Sequence, residues 1–173
     1  MKRVDESKLP GVHIFEIPKF EDGRGWLMEL FRSDELEFMP EMAYVSQTLP
    51  GVMRGPHEHA EQTDFFVFIG PGDFELHLWG PPGNWIAPAA RGGPKQLPDL
   101  HEIHEVGESR PRAVVVPPGV IHGYKCVSEA SGIVFNAPDA LYAGPGKMYP
   151  VDEIRHEDDP EHVKWLLDLP FSF

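Results

Sequence analysis

The sequence predicts an all-β chain built as a sandwich or barrel. Seventeen glycines and nineteen prolines are spread through 173 residues, and neither type suits the interior of a long helix. Between them lie short runs rich in β-branched and aromatic residues, several with the strict alternation of a half-buried strand. The length suits a single domain, 1–173, with one hydrophobic core.

The elements follow in order. Residues 12–17 alternate and stop at Pro18, a first strand. Asp22, Gly23, Arg24 and Gly25 make a turn, and 26–31 return as a strand. Ser33 is a candidate N-cap for a short helical turn over 33–38. Residues 42–48 read as a strand halted by Pro50 and Gly51, 63–69 as the most hydrophobic strand, and 74–79 as an alternating one. Residues 80–98 are rich in Gly, Pro and Ala without periodicity and read as a long loop. Strands follow at 100–106, 113–116, 124–127 and 132–135. Residues 161–167 make a C-terminal helix, capped by Asp158 and Asp159 with Pro160 in its first turn.

Composition narrows the function. Twenty-eight acidic against fifteen basic residues give a formal charge of −13, which disfavours binding to nucleic acid or to an anionic membrane. A few arginines in one pocket still suit an anionic small ligand. No run approaches the eighteen apolar residues of a spanning helix, and the first residues carry no apolar signal segment. Cys126 is the only cysteine, so no intramolecular disulfide forms, consistent with a reducing compartment. A soluble, cytoplasmic protein is expected.

The chemistry lies in two segments. His57 and His59 are two apart, so on a strand both face the same side. Asp64 follows, and some sixty residues later Pro117, Pro118 and Gly119 lead into His122. The spacings Gly51-x5-His57-x-His59-x4-Asp64 and Pro117-x-Gly119-x2-His122 resemble the two motifs of the cupin superfamily, with aspartate where that family usually has glutamate. The resemblance implies a cupin-type double-stranded β-barrel, a jelly roll, with the short helix at its C-terminal end. Two uses of the cluster stay open at this point. His57, His59, Asp64 and His122 can hold a divalent metal, or a histidine can act as general base on a bound substrate. His77 reads as an exposed or satisfied strand residue, and His101 and His104 as structural.

A second resemblance covers more of the chain, in four ordered blocks from about residue 13 to 167. Asp22, Arg24, Gly25 and Trp26 with Glu29 and Phe31 form the first. Ser46, Thr48, Gly51, Arg54, Gly55 and His57 form the second, and Val116 through Tyr124 the third. Tyr149 to Asp158 with Trp165 form the last. These blocks are similar to those of the dTDP-4-dehydrorhamnose 3,5-epimerase family, itself cupin-shaped.

By that resemblance His57 is the base that removes a proton beside the C4 ketone of a nucleotide-linked 4-keto-6-deoxysugar, and Asp158 orients it. His122 lines the sugar pocket. Arg24 and Arg54 meet the diphosphate, while Glu29, Ser46, Thr48 and Tyr142 contribute to substrate binding. No cofactor is required, and the assembly is a homodimer. Two departures stand out. The family's acid is a tyrosine in the strand that here ends at Phe135, which has no hydroxyl; Tyr142 and Tyr124 fall elsewhere. The family's lysine near the enolate oxygen has no counterpart around residues 63–66, where Asp64 brings the opposite charge. The rival readings are a metal-dependent cupin enzyme on another small molecule and a non-catalytic nucleotide-sugar-binding barrel.

Overall fold

The computed structural model describes residues 1–4, 6–80, 98 and 100–169; nearly all of the expected 80–98 loop, with Trp85, lies outside them. The described strands are β1 Lys2–Val4, β2 His13–Glu16, β3 Lys19–Asp22, β4 Gly25–Met28, β5 Tyr44–Thr48, β6 Met53–Glu58 and β7 Asp64–Phe68. They continue with β8 Asp73–Gly80, β9 Leu100–Gly107, β10 Arg112–Val116, β11 Ile121–Cys126, β12 Gly132–Asn136 and β13 Ile154–Arg155. Helix α1 spans Pro160–Asp168. Two antiparallel sheets face each other, ordered β1-β2-β10-β7-β12-β5 and β13-β6-β11-β8-β9, and β3-β4 form a separate hairpin. This is the jelly-roll barrel that the motifs imply.

Alternation places the core. Ile14, Phe66, Phe68, Phe74, Leu76, Leu78, Val114, Val116 and Tyr124 point between the sheets. The intervening residues Phe15, Phe65, Val67 and Val115 point outward, under Leu30, Phe31, Leu36 and Phe38. That covering role corrects two expectations. The strand expected over 26–31 ends at Met28, and 33–38 form a turn rather than a helix. Their apolar side chains are used to seal the outer face of the sheet, which an irregular segment does without helical periodicity.

The helix forms where its cap predicts. Asp159 accepts hydrogen bonds from the backbone N–H groups of Glu161 and His162, with Pro160 at the first position. Its buried Leu166 packs on Trp79 and Ile121, and Trp79 Nε1 donates to the Leu166 carbonyl at 2.8 Å. Among the described residues no helix is long and apolar enough to cross a membrane.

His77 and His101 lie beside Trp79, ring against ring, and bond to each other at 3.0 Å. Burial pushes both down to about 4, helped by Lys125 for His77 and by His77 for His101; Glu75 lies 3.8 Å from His77 on the other side. The folded state therefore binds fewer protons than the unfolded chain between about pH 4 and the ordinary histidine value near 6.5. Stability is present above that range and is lost as pH falls through it, by at most about 1.4 kcal/mol per pH unit for each ring. The melting temperature is expected to drop from pH 7 to pH 5, with a shallower drop in the His77→Gln/His101→Gln double variant; equal slopes would refute this.

Candidate active site

Strands β6 and β11 run antiparallel, in a register that sets His57 opposite His122. Gly55 makes the approach possible: it has a φ of +81°, and a Cβ there would lie 2.6 Å from the His122 carbonyl oxygen. The His57 and His122 rings are 4.5 Å apart, centre to centre. His59, just past the end of β6, lies 5.6 Å from His57 and 5.9 Å from His122. Asp64 reaches this group from the opposite sheet, where it opens β7, and is 1% exposed.

Asp64 is the hub. Its Oδ2 lies 3.2 Å from Nε2 of both His59 and His122, while its Oδ1 accepts from Gln62 Nε2 at 2.9 Å and Asn136 Nδ2 at 2.8 Å. Burial would raise this carboxyl, but contact with His122 and His59 outweighs it and holds Asp64 well below the usual carboxylate range. Burial likewise disfavours protonated His59, yet Asp64 and the Asp152 carbonyl raise it.

The other ring nitrogens are fixed. His122 Nδ1 faces the Val120 carbonyl at 2.9 Å, and His59 Nδ1 faces the Asp152 carbonyl. A carbonyl only accepts, so each Nδ1 carries the hydrogen. Neutral rings then turn Nε2 lone pairs toward Asp64 Oδ2, that of His59 with Gln62 Nε2 also 3.2 Å away. His122 Nε2 and Asp64 Oδ2 are both buried without a well-formed hydrogen bond. Acceptors facing acceptors require a proton or a cation between them.

The donor set fits a divalent metal. His57, His59, Asp64 and His122 each offer a ligand atom, all within 4.8 Å of one another. Three imidazoles and one carboxylate suit zinc, iron, manganese or nickel better than calcium or magnesium. Bound there, such an ion would polarise a substrate carbonyl as a Lewis acid.

His57 also reaches outward, toward the segment around β13. Burial, then the neighbouring His122 and His59, push it down to about 2, so it is neutral at physiological pH. Its Nδ1 lies 3.8 Å from Glu153 Oε1 and 4.0 Å from Glu157 Oε1. Asp64 acts in the opposite sense, and carboxylates at these distances would likewise stabilise a proton held on the ring. Glu157 is itself raised, first by burial. Both flank β13, whose pairing with the end of β6 sets Arg155 opposite His57. Asp152 anchors the same segment: its carboxylate accepts the N–H groups of Ala60, Glu61 and Gln62 at 3.0, 2.8 and 2.8 Å.

The cluster forms one end of a cavity of about 980 Å³, lined among others by Tyr44, Ser46, Arg54, His57, His59, Tyr124, Tyr142, Lys147 and Arg155. Arg54 is held in place by Thr48 Oγ1 at 3.0 Å and the Gln47 carbonyl at 2.7 Å. The sequence-derived residues thus divide. His57, His59, Ser46, Arg54 and Tyr142 line the cavity, His122 and Asp64 stand behind its histidines, and Thr48 is buried beneath Arg54.

Three candidates lie elsewhere. Arg24 sits in the β3–β4 turn, 90% exposed and paired with Asp22 at 2.5 Å. Glu29 is exposed beside Arg32, and Asp158 is exposed at the start of the helix. Among the described residues, the carboxylates that approach His57 are those of Glu153 and Glu157. Phe135 also differs from expectation. It pairs with Val45 and Val67 on the outer face, while its neighbour Asn136 points inward.

A jelly roll with a histidine–aspartate cluster at one end of a wide cavity is a cupin-type barrel. Comparison with known proteins gives the family. The model of the family "FdtA: WxcM-like, C-terminal" matches residues 10–79. The chain is 32% identical over 142 residues to the probable low-salt glycan biosynthesis epimerase Agl13 of Haloferax volcanii, covering 78% of this chain and 83% of that protein.

Two solved structures have the same fold. One is the dTDP-6-deoxy-D-glucose-3,5-epimerase RmlC of Legionella pneumophila in complex with dTDP-4-keto-L-rhamnose. It has a TM-score of 0.67 and 18% identity, over 96% of this chain and 82% of that one. The other is a variant of the 3,4-ketoisomerase QdtA of Thermoanaerobacterium thermosaccharolyticum in complex with TDP-4-keto-6-deoxyglucose. It has a TM-score of 0.61 and 15% identity, over 91% and 95%. The chain belongs to the same family as Agl13, and its fold is that of the two solved sugar-modifying barrels.

Proposed function

We propose that this protein is an epimerase or isomerase of a nucleotide-linked 4-keto-6-deoxysugar, with His57 as the base. The observation that carries the reading is a neutral imidazole on the wall of a 980 Å³ cavity, with the carboxylates of Glu153 and Glu157, which line the same cavity, 3.8 and 4.0 Å from its Nδ1. In this reading His57 takes a proton from the carbon next to the C4 ketone, and the C–H electron pair moves to the ketone oxygen as an enolate. Glu153 and Glu157 stabilise the imidazolium, the positioning role that the family resemblance assigned to Asp158. Arg54, Lys147 and Arg155 supply the positive charge a diphosphate requires within an otherwise acidic molecule. Agl13, RmlC and QdtA, an epimerase or isomerase each by name, support the class.

A homodimer is part of this reading. It is supported by Phe20, Trp26 and Leu27, which leave the β3–β4 hairpin with an exposed apolar surface.

The test is solvent exchange. Incubated in deuterium oxide with TDP-4-keto-6-deoxyglucose, the protein is expected to place deuterium at C3 or C5 of the sugar, read by mass spectrometry and NMR. No incorporation across several nucleotide-linked 4-ketosugars would sink the proposal.

A metal-dependent cupin enzyme is the second reading, supported by the bare Nε2 of His122, which converges with His59 Nε2 on Asp64 Oδ2. A ligated His57 then has no lone pair for proton abstraction on that nitrogen. This reading expects near-stoichiometric metal in tag-free protein by elemental mass spectrometry, lost in His59→Ala. Protein that takes up no metal when offered zinc, manganese or iron(II) would remove it.

A further inference from the structure

We propose that Tyr44 is the catalytic acid of this site, delivering a proton to the substrate carbon from the wall of the cavity opposite His57. The proposal rests on the epimerase reading above. It answers a specific gap, since the strand that ends at Asn136 offers no hydroxyl.

The two residues stand on facing sheets. His57 belongs to β6 in the five-stranded sheet, and Tyr44 to β5 at the edge of the six-stranded one, yet both line the same cavity. Inversion at a carbon requires the departing and arriving protons to use opposite faces, which needs groups on opposite walls. Tyr124 fails that requirement, because β11 lies beside β6 on the His57 side. Its hydroxyl is also engaged with Ser46 Oγ at 3.0 Å.

Register places Tyr44. It pairs directly with Asn136 across β5 and β12. The Asn136 side chain is fixed at both ends: its Oδ1 accepts the Phe65 N–H at 3.1 Å, which leaves Nδ2 as the donor end. That Nδ2 donates to Asp64 Oδ1 at 2.8 Å and to the Tyr44 hydroxyl oxygen at 3.0 Å. The phenol is thus anchored as an acceptor, and its own hydrogen remains available to the cavity. Asn136 would also donate to the phenolate left after transfer, stabilising it. Burial raises the Tyr44 hydroxyl to about 12, so the protonated form that an acid needs is the one present.

The step balances without a co-reactant. His57 breaks the C–H bond and becomes an imidazolium while the electron pair passes to the ketone oxygen. The enolate collapses back to the ketone as a new C–H bond forms with the Tyr44 proton. Solvent then reprotonates the phenolate and removes the proton from His57.

The experiment separates the two half-reactions in Tyr44→Phe, which deletes one oxygen. With TDP-4-keto-6-deoxyglucose in deuterium oxide, His57 still exchanges the proton from its own face, whereas inversion needs the second group. The expected result is exchange within about threefold of wild type and epimer formation reduced by about 10²-fold or more. A melting curve like that of wild type shows that the fold is kept. Epimer formation within about threefold of wild type overturns the assignment of Tyr44 while leaving the function intact. Loss of exchange and inversion together in a folded variant also overturns it, making Tyr44 a binding group. Wild type that neither exchanges nor epimerises the substrate removes the epimerase reading and this proposal with it.

Discussion

Replacing His57 by asparagine is expected to abolish solvent exchange into a nucleotide-linked 4-ketosugar, by about 10²–10⁴-fold, the range a positioned general base contributes. The fold should survive, because the ring is only partly buried and its Nδ1 holds no well-formed hydrogen bond. The loss should fall on kcat, while the nucleotide end still meets Arg54 and binding changes little. The pH profile carries a second signature. Burial, then His122 and His59, push His57 well below the ordinary imidazole value, to about 2. The acid limb of kcat/KM therefore lies below about pH 6.5, where an ordinary histidine would place it. A His57→Asn variant that retains exchange would move the base to another group, and an acid limb at 6.5 would contradict a neutral ring held below the ordinary imidazole value.

The parts of this fold that are legible in the sequence are those governed by local pattern. Residues 74–79 alternate and become β8, and 113–116 become the middle of the six-stranded sheet, because period-two hydrophobicity is what a two-faced strand requires. The Asp159–Pro160 cap is equally local. The spacing of His57, His59, Asp64 and His122 was also readable, since residues two apart share a face and a Pro–Gly turn aims the last histidine.

What escaped is the non-local pairing. Nothing in the stretch from 152 to 158 shows that Ile154 and Arg155 pair with β6. Yet that pairing sets Glu153 and Glu157 on His57, while Asp158, the family-matched residue, stays exposed. A one-residue step on β12 had a similar effect. It turns Phe135 outward and Asn136 inward, and so directs attention from a missing hydroxyl on one strand to the Tyr44 hydroxyl on the next.

Asp64→Ala is expected to give the largest loss of stability of any single change in the cluster, on the order of 3–5 kcal/mol. The reason lies in what it leaves behind. Asp64 is 1% exposed and gathers Gln62, Asn136, His59 and His122 on two oxygens. Without it the two amides each lose one acceptor, and a charged His59 loses its partner in a dry site. For a chain of this size the loss lowers the melting temperature by roughly 10 °C. Part of the cost returns through neutralisation of His59, which makes the deficit smaller above the ordinary histidine value and larger at pH 5. Added metal separates the two readings of the site. A wild type stabilised by zinc or manganese, with Asp64→Ala indifferent to either, identifies Asp64 Oδ2 as a ligand. An equal response in both proteins, or none in either, leaves Asp64 as the counter-charge that holds His59 and His122 in place behind the base.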